Sequence, residues 1–267
     1  MTKHIPVLMY HNIVKQTTAA APDWINETLF KEQMLYLQRN GFTSISPQLL
    51  LTPEKLPKKP VVITFDDGYE GVYSYAFPVL KELKMQATVF LITSCLGDEN
   101  EKFTNEWSEG GRPLTTHLSV SMVKEMLTTN LISIGCHSHS HKIFKNISTD
   151  EIGHEISISK QIIRTLLNYK TTLFSYPGGY VGEKETTYKI LKENKIELAF
   201  GAQTDKVENI ERMDLLNIHR INISTDNTFT NPKAKHRFEA LVNPFLNKLS
   251  KFNKLNFVAN SLIQLVK

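Results

Sequence analysis

The chain has 267 residues, of which 41% are apolar and 22% charged, as in an ordinary folded globular protein. No run of 18 apolar residues occurs, which argues against a membrane-spanning helix, and two cysteines are too few for a disulfide framework. The net charge is +4, and residues 233–267 contain seven basic side chains against one acidic side chain. Because the basic excess is confined to this segment and no recognised motif accompanies it, a nucleic-acid partner is poorly supported.

The predicted elements alternate between strands and helices as far as residue 223. The predicted strands are residues 5–10, 61–65, 87–93, 131–136, 173–176, 198–201 and 218–223. Helical periodicity occupies 30–40, 72–84, 119–129, 148–167 and 184–194, and Ser148 with Glu151 has the spacing of a capping box. Repeated strand–helix units imply a parallel sheet, either a barrel or an open doubly wound sheet. Seven strands favour an α/β fold, an irregular (β/α) barrel of about seven parallel strands, with its active site at the carboxyl ends of the strands.

Three predicted strands end in candidate catalytic or metal-binding residues. Asp66-Asp67-Gly68 follows the second strand, and His137 and His141 follow the fourth. The fifth strand ends in Tyr176, and Pro177-Gly178 follows it. By itself Asp-Asp-Gly is usually a turn, and a lone His-x-x-x-His pair is often two exposed side chains without a function. Adjacent carboxylates after a buried strand are costly unless a positive charge compensates them. Together with two histidines they predict a metal site with one position open to water.

These motifs resemble those of the polysaccharide deacetylases of the NodB-homology type, carbohydrate esterase family 4. Residues 64–68 match the first motif of that family, and His137-Ser138-x-x-His141 matches the second. The opening residues 6–11 and the helix before Gly41 are similar to the branch that contains biofilm exopolysaccharide deacetylases. The resemblance spans residues 5–223.

The resemblance implies a role for each motif residue. Asp67, His137 and His141 would bind a divalent metal, zinc in the first place, with cobalt, nickel or manganese as alternatives. Asp66 would be the general base. The backbone N–H of Gly178 would hold the oxyanion, and Tyr176 and Pro177 would contact the substrate.

The general acid has two candidates. Leu216-Asn217-Ile218-His219 resembles a late family motif and would make His219 the donor. Alternatively, Arg220-Ile221 corresponds to an Arg-Ile strand of the biofilm branch, which leaves His219 incidental. His11, at the end of the first strand, is the rival candidate.

Two positions depart from the family pattern. Ser175 stands where the third motif often has an arginine that orients the base, and Gly178 replaces the aromatic residue after the proline. No counterpart of the fourth motif is found.

The domain prediction is a deacetylase domain at 1–230 and a basic amphipathic helical tail at 231–267. The tail either packs over the barrel or rests on an anionic membrane surface. The apolar run at 5–9 is too short for a signal peptide, so we expect a cytoplasmic protein, peripheral to the membrane if the tail binds lipid. The expected partner is an acetylated amino-sugar saccharide, lipid-linked in one version. The alternatives are a cyclic amide or imide hydrolase on the same fold and an inactive carbohydrate-binding module.

Overall fold

A computed structural model describes residues 4–97, 102–103, 113, 115–201, 207–224, 238 and 242. The chain divides into two compact units, Met1–Thr225 and Asp226–Lys267. In the second unit, Phe238 and Val242 are helical and buried. The rest of the predicted tail lies outside the described residues, and the domain boundary at 230 stays a prediction.

The first unit is built on one parallel sheet. Its strands are Val7–Tyr10 (β1), Thr43–Ser44 (β2), Pro60–Phe65 (β3), Ala87–Leu91 (β4), Ile132–Cys136 (β5), Leu173–Ser175 (β6), Leu198–Phe200 (β7) and Ile221–Asn222 (β8). Seven of them run in the order β7-β6-β5-β4-β3-β1-β8, and the short β2 pairs with the start of β3. The predicted irregular (β/α) barrel of about seven parallel strands is therefore confirmed.

The segment at 215–223 joins the two edges of this sheet. Ile218 pairs with Phe200 on β7, whereas Ile221 pairs with Leu8 on β1. The predicted strand 218–223 is thus a short strand preceded by an isolated bridge. His219 and Arg220 lie where the chain crosses from one edge strand to the other.

Five helices connect the strands in the described part of the chain. They are Glu27–Arg39 (α1), Phe77–Leu83 (α2), Val120–Thr128 (α3), Thr149–Leu167 (α4) and Lys184–Glu193 (α5). Ser148 and Glu151 form the predicted capping box of α4. The region predicted as one helix at 72–84 begins instead with a π-helical turn, Val72–Ala76, before α2. None of the described helices combines the length and apolar character that crossing a membrane would require.

Short strand pairs lie outside the main sheet. They are His4–Ile5 with Glu208–Asn209, Ile13–Val14 with Ile25–Asn26, and Lys102–Phe103 with Thr115–Thr116.

One apolar core cluster contains residues of β1, β3, β4, β6 and β7. It contains Val7, Val62, Phe90, Leu173, Leu198 and Phe200, all nearly or fully buried. Side chains alternate along a strand, so Thr64 and Asp66, two and four positions after Val62, face the same interior. The core therefore forms the floor of whatever site lies at the carboxyl ends.

Candidate metal and catalytic site

Asp66 and Asp67 face one centre although they are neighbours in the chain. Val62, Thr64 and Asp66 lie on the inward side of β3, so the next residue would point outward if the strand continued. At Asp67 the backbone instead turns into the left-handed region, with φ at 69°. This conformation is costly for a residue with a Cβ and marks a site where the fold enforces it. Both carboxylates are consequently buried beside each other, at 2% and 4% exposure.

The two motif histidines reach the same centre from the end of β5. His137 lies directly after the strand, and its Nδ1 is 2.9 Å from the Ser175 carbonyl oxygen. A carbonyl only accepts, so this contact puts the proton on Nδ1 and leaves Nε2 free to act as a ligand. His141 follows a tight loop in which Ser138 and His141 both have positive φ, 62° and 61°.

Asp67, His137 and His141 form a cluster whose ligand atoms lie within 4.8 Å of one another. The Asp67 Oδ1 atom is 3.3 Å from His137 Nε2 and 3.5 Å from His141 Nε2. Tetrahedral zinc with ligand bonds near 2.0–2.1 Å separates its ligand atoms by about 3.3 Å. The donor set therefore fits a small divalent metal.

Arg220 holds the second carboxylate. Its Nη1 and Nη2 atoms donate to Asp66 Oδ1 and Oδ2, both at 2.7 Å, in a bidentate pair. Arg220 also donates from Nη2 to Ser175 Oγ at 2.9 Å, and the Ser175 hydroxyl donates to Asp66 Oδ2 at 3.1 Å. All three side chains are buried. Both carboxylate oxygens of Asp66 are therefore bonded, and these bonds fix the orientation of the side chain.

The pKa values follow from this arrangement. Burial would raise the pKa of Asp66, but the charges of Arg220 and His137 outweigh it and hold that pKa below its ordinary value. Burial is likewise opposed at Asp67, where the two histidines keep the carboxyl pKa far below its usual range. For His141, burial prevails and lowers the pKa to about 4, so the ring is neutral at pH 7, as a metal ligand must be.

A cleft of about 340 Å³ opens onto these residues. Six of the nine predicted site residues line it: Asp66, Asp67, His137, His141, His11 and Gly178. Arg220, Asp23 and Tyr180 line it as well. His11 Nδ1 lies 3.3 Å from an Asp23 carboxylate oxygen. Gly178 has a φ of 58°, and a Cβ added there would lie 2.8 Å from Ile143 Cδ1.

Three predicted site residues lie elsewhere. Tyr176 is fully buried, and its hydroxyl donates to the Leu216 carbonyl at 2.7 Å, because alternation along β6 turns Ser175 inward and Tyr176 outward. Pro177 is buried and does not line the cleft. His219 also lies outside it, with a side chain that is 47% exposed and an Nδ1 atom 3.1 Å from Glu208 Oε1.

Arg220 is the residue that the sequence interpretation did not assign to the site. Two signals pointed to it: a charged residue inside the predicted strand 218–223, and the missing arginine at Ser175. Arg220 approaches Asp66 from the closing segment of the barrel, and its guanidinium carbon lies 5.8 Å from the Phe90 ring centre and 6.0 Å from that of Phe200. The cysteines take no part: burial raises the pKa of Cys136 to about 11, as expected for a buried thiol.

Known proteins are similar to this chain in sequence and in fold. The family model for polysaccharide deacetylase matches residues 54–199. YxkH of Bacillus subtilis is 30% identical over 82% of this chain and 71% of its own length. The poly-beta-1,6-N-acetyl-D-glucosamine N-deacetylase of Staphylococcus epidermidis is 29% identical over 76% of this chain and 68% of its own.

Solved structures agree with these matches. The Streptococcus pyogenes deacetylase PplD, in complex with acetate, superposes with a TM-score of 0.69 at 25% identity, over 87% of this chain and 96% of that one. IcaB from Ammonifex degensii gives a TM-score of 0.69 at 25% identity, over 85% of this chain and 94% of its own. The chain belongs to the polysaccharide deacetylase family.

Proposed function

We propose that this protein is a metal-dependent hydrolase that removes the N-acetyl group from N-acetylhexosamine units of a polysaccharide. The observation that carries the proposal is the buried Asp67, His137 and His141 cluster beside an Asp66 that Arg220 holds in place. A divalent metal bound there would polarise the acetyl carbonyl and acidify the attacking water. Two histidines and one carboxylate suit zinc, and cobalt, nickel or manganese also fit.

Asp66 is suited to be the base. Its lowered pKa keeps it ionised at neutral pH, the state in which it can accept a proton from water. Arg220 and Ser175 occupy its oxygens from the barrel side, while the carboxylate also lines the cleft. The proton taken from water would therefore reach Asp66 from the cleft side.

His11 is the better candidate for the acid that protonates the amine as it leaves. It lines the cleft and has Asp23 at its Nδ1, whereas His219 lies outside the cleft beside Glu208. A carboxylate at Nδ1 orients the imidazole ring, which a general acid at the cleft requires. The oxyanion contact proposed for the N–H of Gly178 is supported by the position of this residue in the cleft lining.

The substrate proposal rests on the relatives. Because the Staphylococcus epidermidis relative is named for poly-beta-1,6-N-acetyl-D-glucosamine, oligomers of that polymer are the first substrates to test. A lipid-linked saccharide, a cytoplasmic location and membrane contact through residues 233–267 remain predictions from the sequence.

The test is acetate release from β-1,6-linked N-acetylglucosamine oligomers, with and without added zinc. Asp66→Asn and His137→Ala should each abolish release. His139→Ala is the matched control: it lies in the same loop, but its Nδ1 faces Thr93 Oγ1 at 3.1 Å and it is not in the metal cluster. Activity in the control and none in the first two variants would support the proposal.

Two other results would refute it. Zinc binding by the wild type without acetate release from any acetylated sugar would favour a cyclic amide hydrolase. Saccharide binding with neither metal nor hydrolysis would favour a binding module.

A further inference from the structure

Glu155 is a buried carboxylate that the proposed reaction does not use. It lies on α4 with 4% exposure. Among the described residues it has no lysine, arginine or histidine within ion-pairing distance. A buried carboxylate without a cation is costly unless hydrogen bonds replace the water it has lost.

His139 and Ser140, which donate hydrogen bonds to Glu155, lie in one loop, residues 138–141. Its Oε2 atom accepts from the backbone N–H of His139 at 2.9 Å and of Ser140 at 2.8 Å. Its Oε1 atom accepts from the Ser140 hydroxyl at 2.6 Å. Burial alone would raise the pKa of Glu155, but these bonds outweigh it and hold that pKa below its ordinary value. The carboxylate charge of Glu155 is therefore stabilised by the loop that carries His141.

Three other backbone groups of the loop are also bonded. Its carbonyls accept on the opposite side, Ser138 from the N–H of Thr93 at 3.3 Å and His139 from that of Ser94 at 2.9 Å. The N–H of His141 donates to Ser138 Oγ at 2.9 Å. The loop is thus held between the helical segment Thr93–Cys95 and Glu155. Glu155 accepts from the backbone N–H groups of His139 and Ser140.

The loop needs such support because its conformation is unfavourable. Left-handed backbone is unfavourable at non-glycine residues, and the loop contains two of them, Ser138 and His141. Hydrogen bonds to a charged acceptor are among the strongest that a side chain can offer in compensation. Without them the loop would relax, and the ligand nitrogen of His141 would move away from Asp67.

We propose that Glu155 is a positioning residue that presets the 138–141 loop, so that His141 is in place before the metal binds. The inference rests on the metal site of the proposed function and adds a residue that touches neither metal nor substrate. Partners behind the ligands of a metal site contribute about 10- to 100-fold to metal affinity. Glu155→Gln should therefore weaken zinc binding by that factor.

The experiment is a zinc titration of the metal-stripped full chain against a chromogenic chelator, with Tm of the metal-free protein measured in parallel. Ser148→Ala is the matched control, because it removes the cap of the same helix without touching the loop. We expect this control to lower Tm and leave zinc affinity within twofold of wild type. At saturating zinc, kcat of Glu155→Gln should return to near the wild-type value, since every ligand is intact.

Zinc affinity of Glu155→Gln within twofold of wild type would overturn the proposal, whatever happens to Tm. If that variant does not fold, Ser140→Ala decides, because it removes only the hydroxyl bond to Oε1; a severalfold loss supports the proposal and an unchanged affinity refutes it. A wild type that binds zinc but releases no acetate would refute the deacetylase and leave the result on Glu155 standing. A wild type that binds no zinc would refute both.

Discussion

Replacing Arg220 by methionine tests the electrostatic design of the site. The substitution keeps an unbranched apolar stem and removes both donors to Asp66, at 2.7 Å each. Asp66 is then a buried carboxylate whose main cation is gone. Removing one partner of a buried ion pair typically costs about 3–5 kcal/mol. We expect the free energy of unfolding of the metal-free protein at pH 7 to fall by that amount.

The pH dependence gives the expected sign. In the wild type the folded pKa of Asp66 is lowered, so its contribution to stability is present above the unfolded pKa of about 3.9 and is lost as pH falls through the folded value. In Arg220→Met burial is no longer opposed by the guanidinium, and the folded pKa of Asp66 rises. The stability difference between the two proteins should therefore widen from pH 4 to pH 7, and the acid limb of the activity profile should move to higher pH.

Urea unfolding of four proteins measures the coupling: wild type, Arg220→Met, Asp66→Asn and the double variant. The double variant should be more stable than the sum of the single losses predicts, by about 2–3 kcal/mol, because it contains neither unpaired charge. Losses that add to within about 0.5 kcal/mol, or an Arg220→Met loss below about 1 kcal/mol, would show that the pair does not govern this site.

Further predictions concern the acid, the cleft rim, Glu155 and the tail. His11→Ala should lower kcat by about 10²- to 10⁴-fold, whereas His219→Ala should change it little; the reverse ranking would reinstate His219. Tyr180 is 49% exposed at the cleft, with Lys145 Nζ 3.9 Å from its ring centre, so Tyr180→Ala should raise KM for oligomers and leave kcat nearly unchanged; an unaltered KM would remove it from substrate binding. The Tm difference between metal-free wild type and Glu155→Gln should shrink as pH falls below about 4, since the folded pKa of Glu155 is lowered and protonation removes its advantage; a constant difference would contradict this. Deleting residues 233–267 should move the protein from membrane to soluble fractions if the tail binds lipid, and unchanged fractionation of a folded protein would exclude that role.

Much of the fold, and the cluster of Asp67, His137 and His141, could be predicted because the sequence patterns behind them are local. Short apolar runs gave the strands, and parallel strands place their carboxyl ends together, which brought Asp67 and His137 to one site. The capping box at Ser148 and Glu151 fixed the start of α4 from two residues alone.

The partners of these residues could not be predicted because they depend on side-chain direction and long-range pairing. Arg220 is 154 residues from Asp66 in the chain, and no periodicity connects them. His219 resembled a family motif, yet its neighbour is the residue whose side chain enters the barrel. Tyr176 follows the inward Ser175 and therefore packs against Phe144 and Phe174 on the outer side.

The closing segment of the barrel has a consequence for how the protein becomes competent during synthesis. The proposed metal ligands and the proposed base all precede residue 142. The guanidinium that pairs with Asp66 arrives only when the segment at 215–223 bridges Leu8 and Phe200. A nascent chain released before residue 220 would contain Asp66, Asp67, His137 and His141 and would still lack the guanidinium that pairs with Asp66. The proposed hydrolysis would thereby depend on the last long-range contact of the sheet, which a truncated barrel lacks.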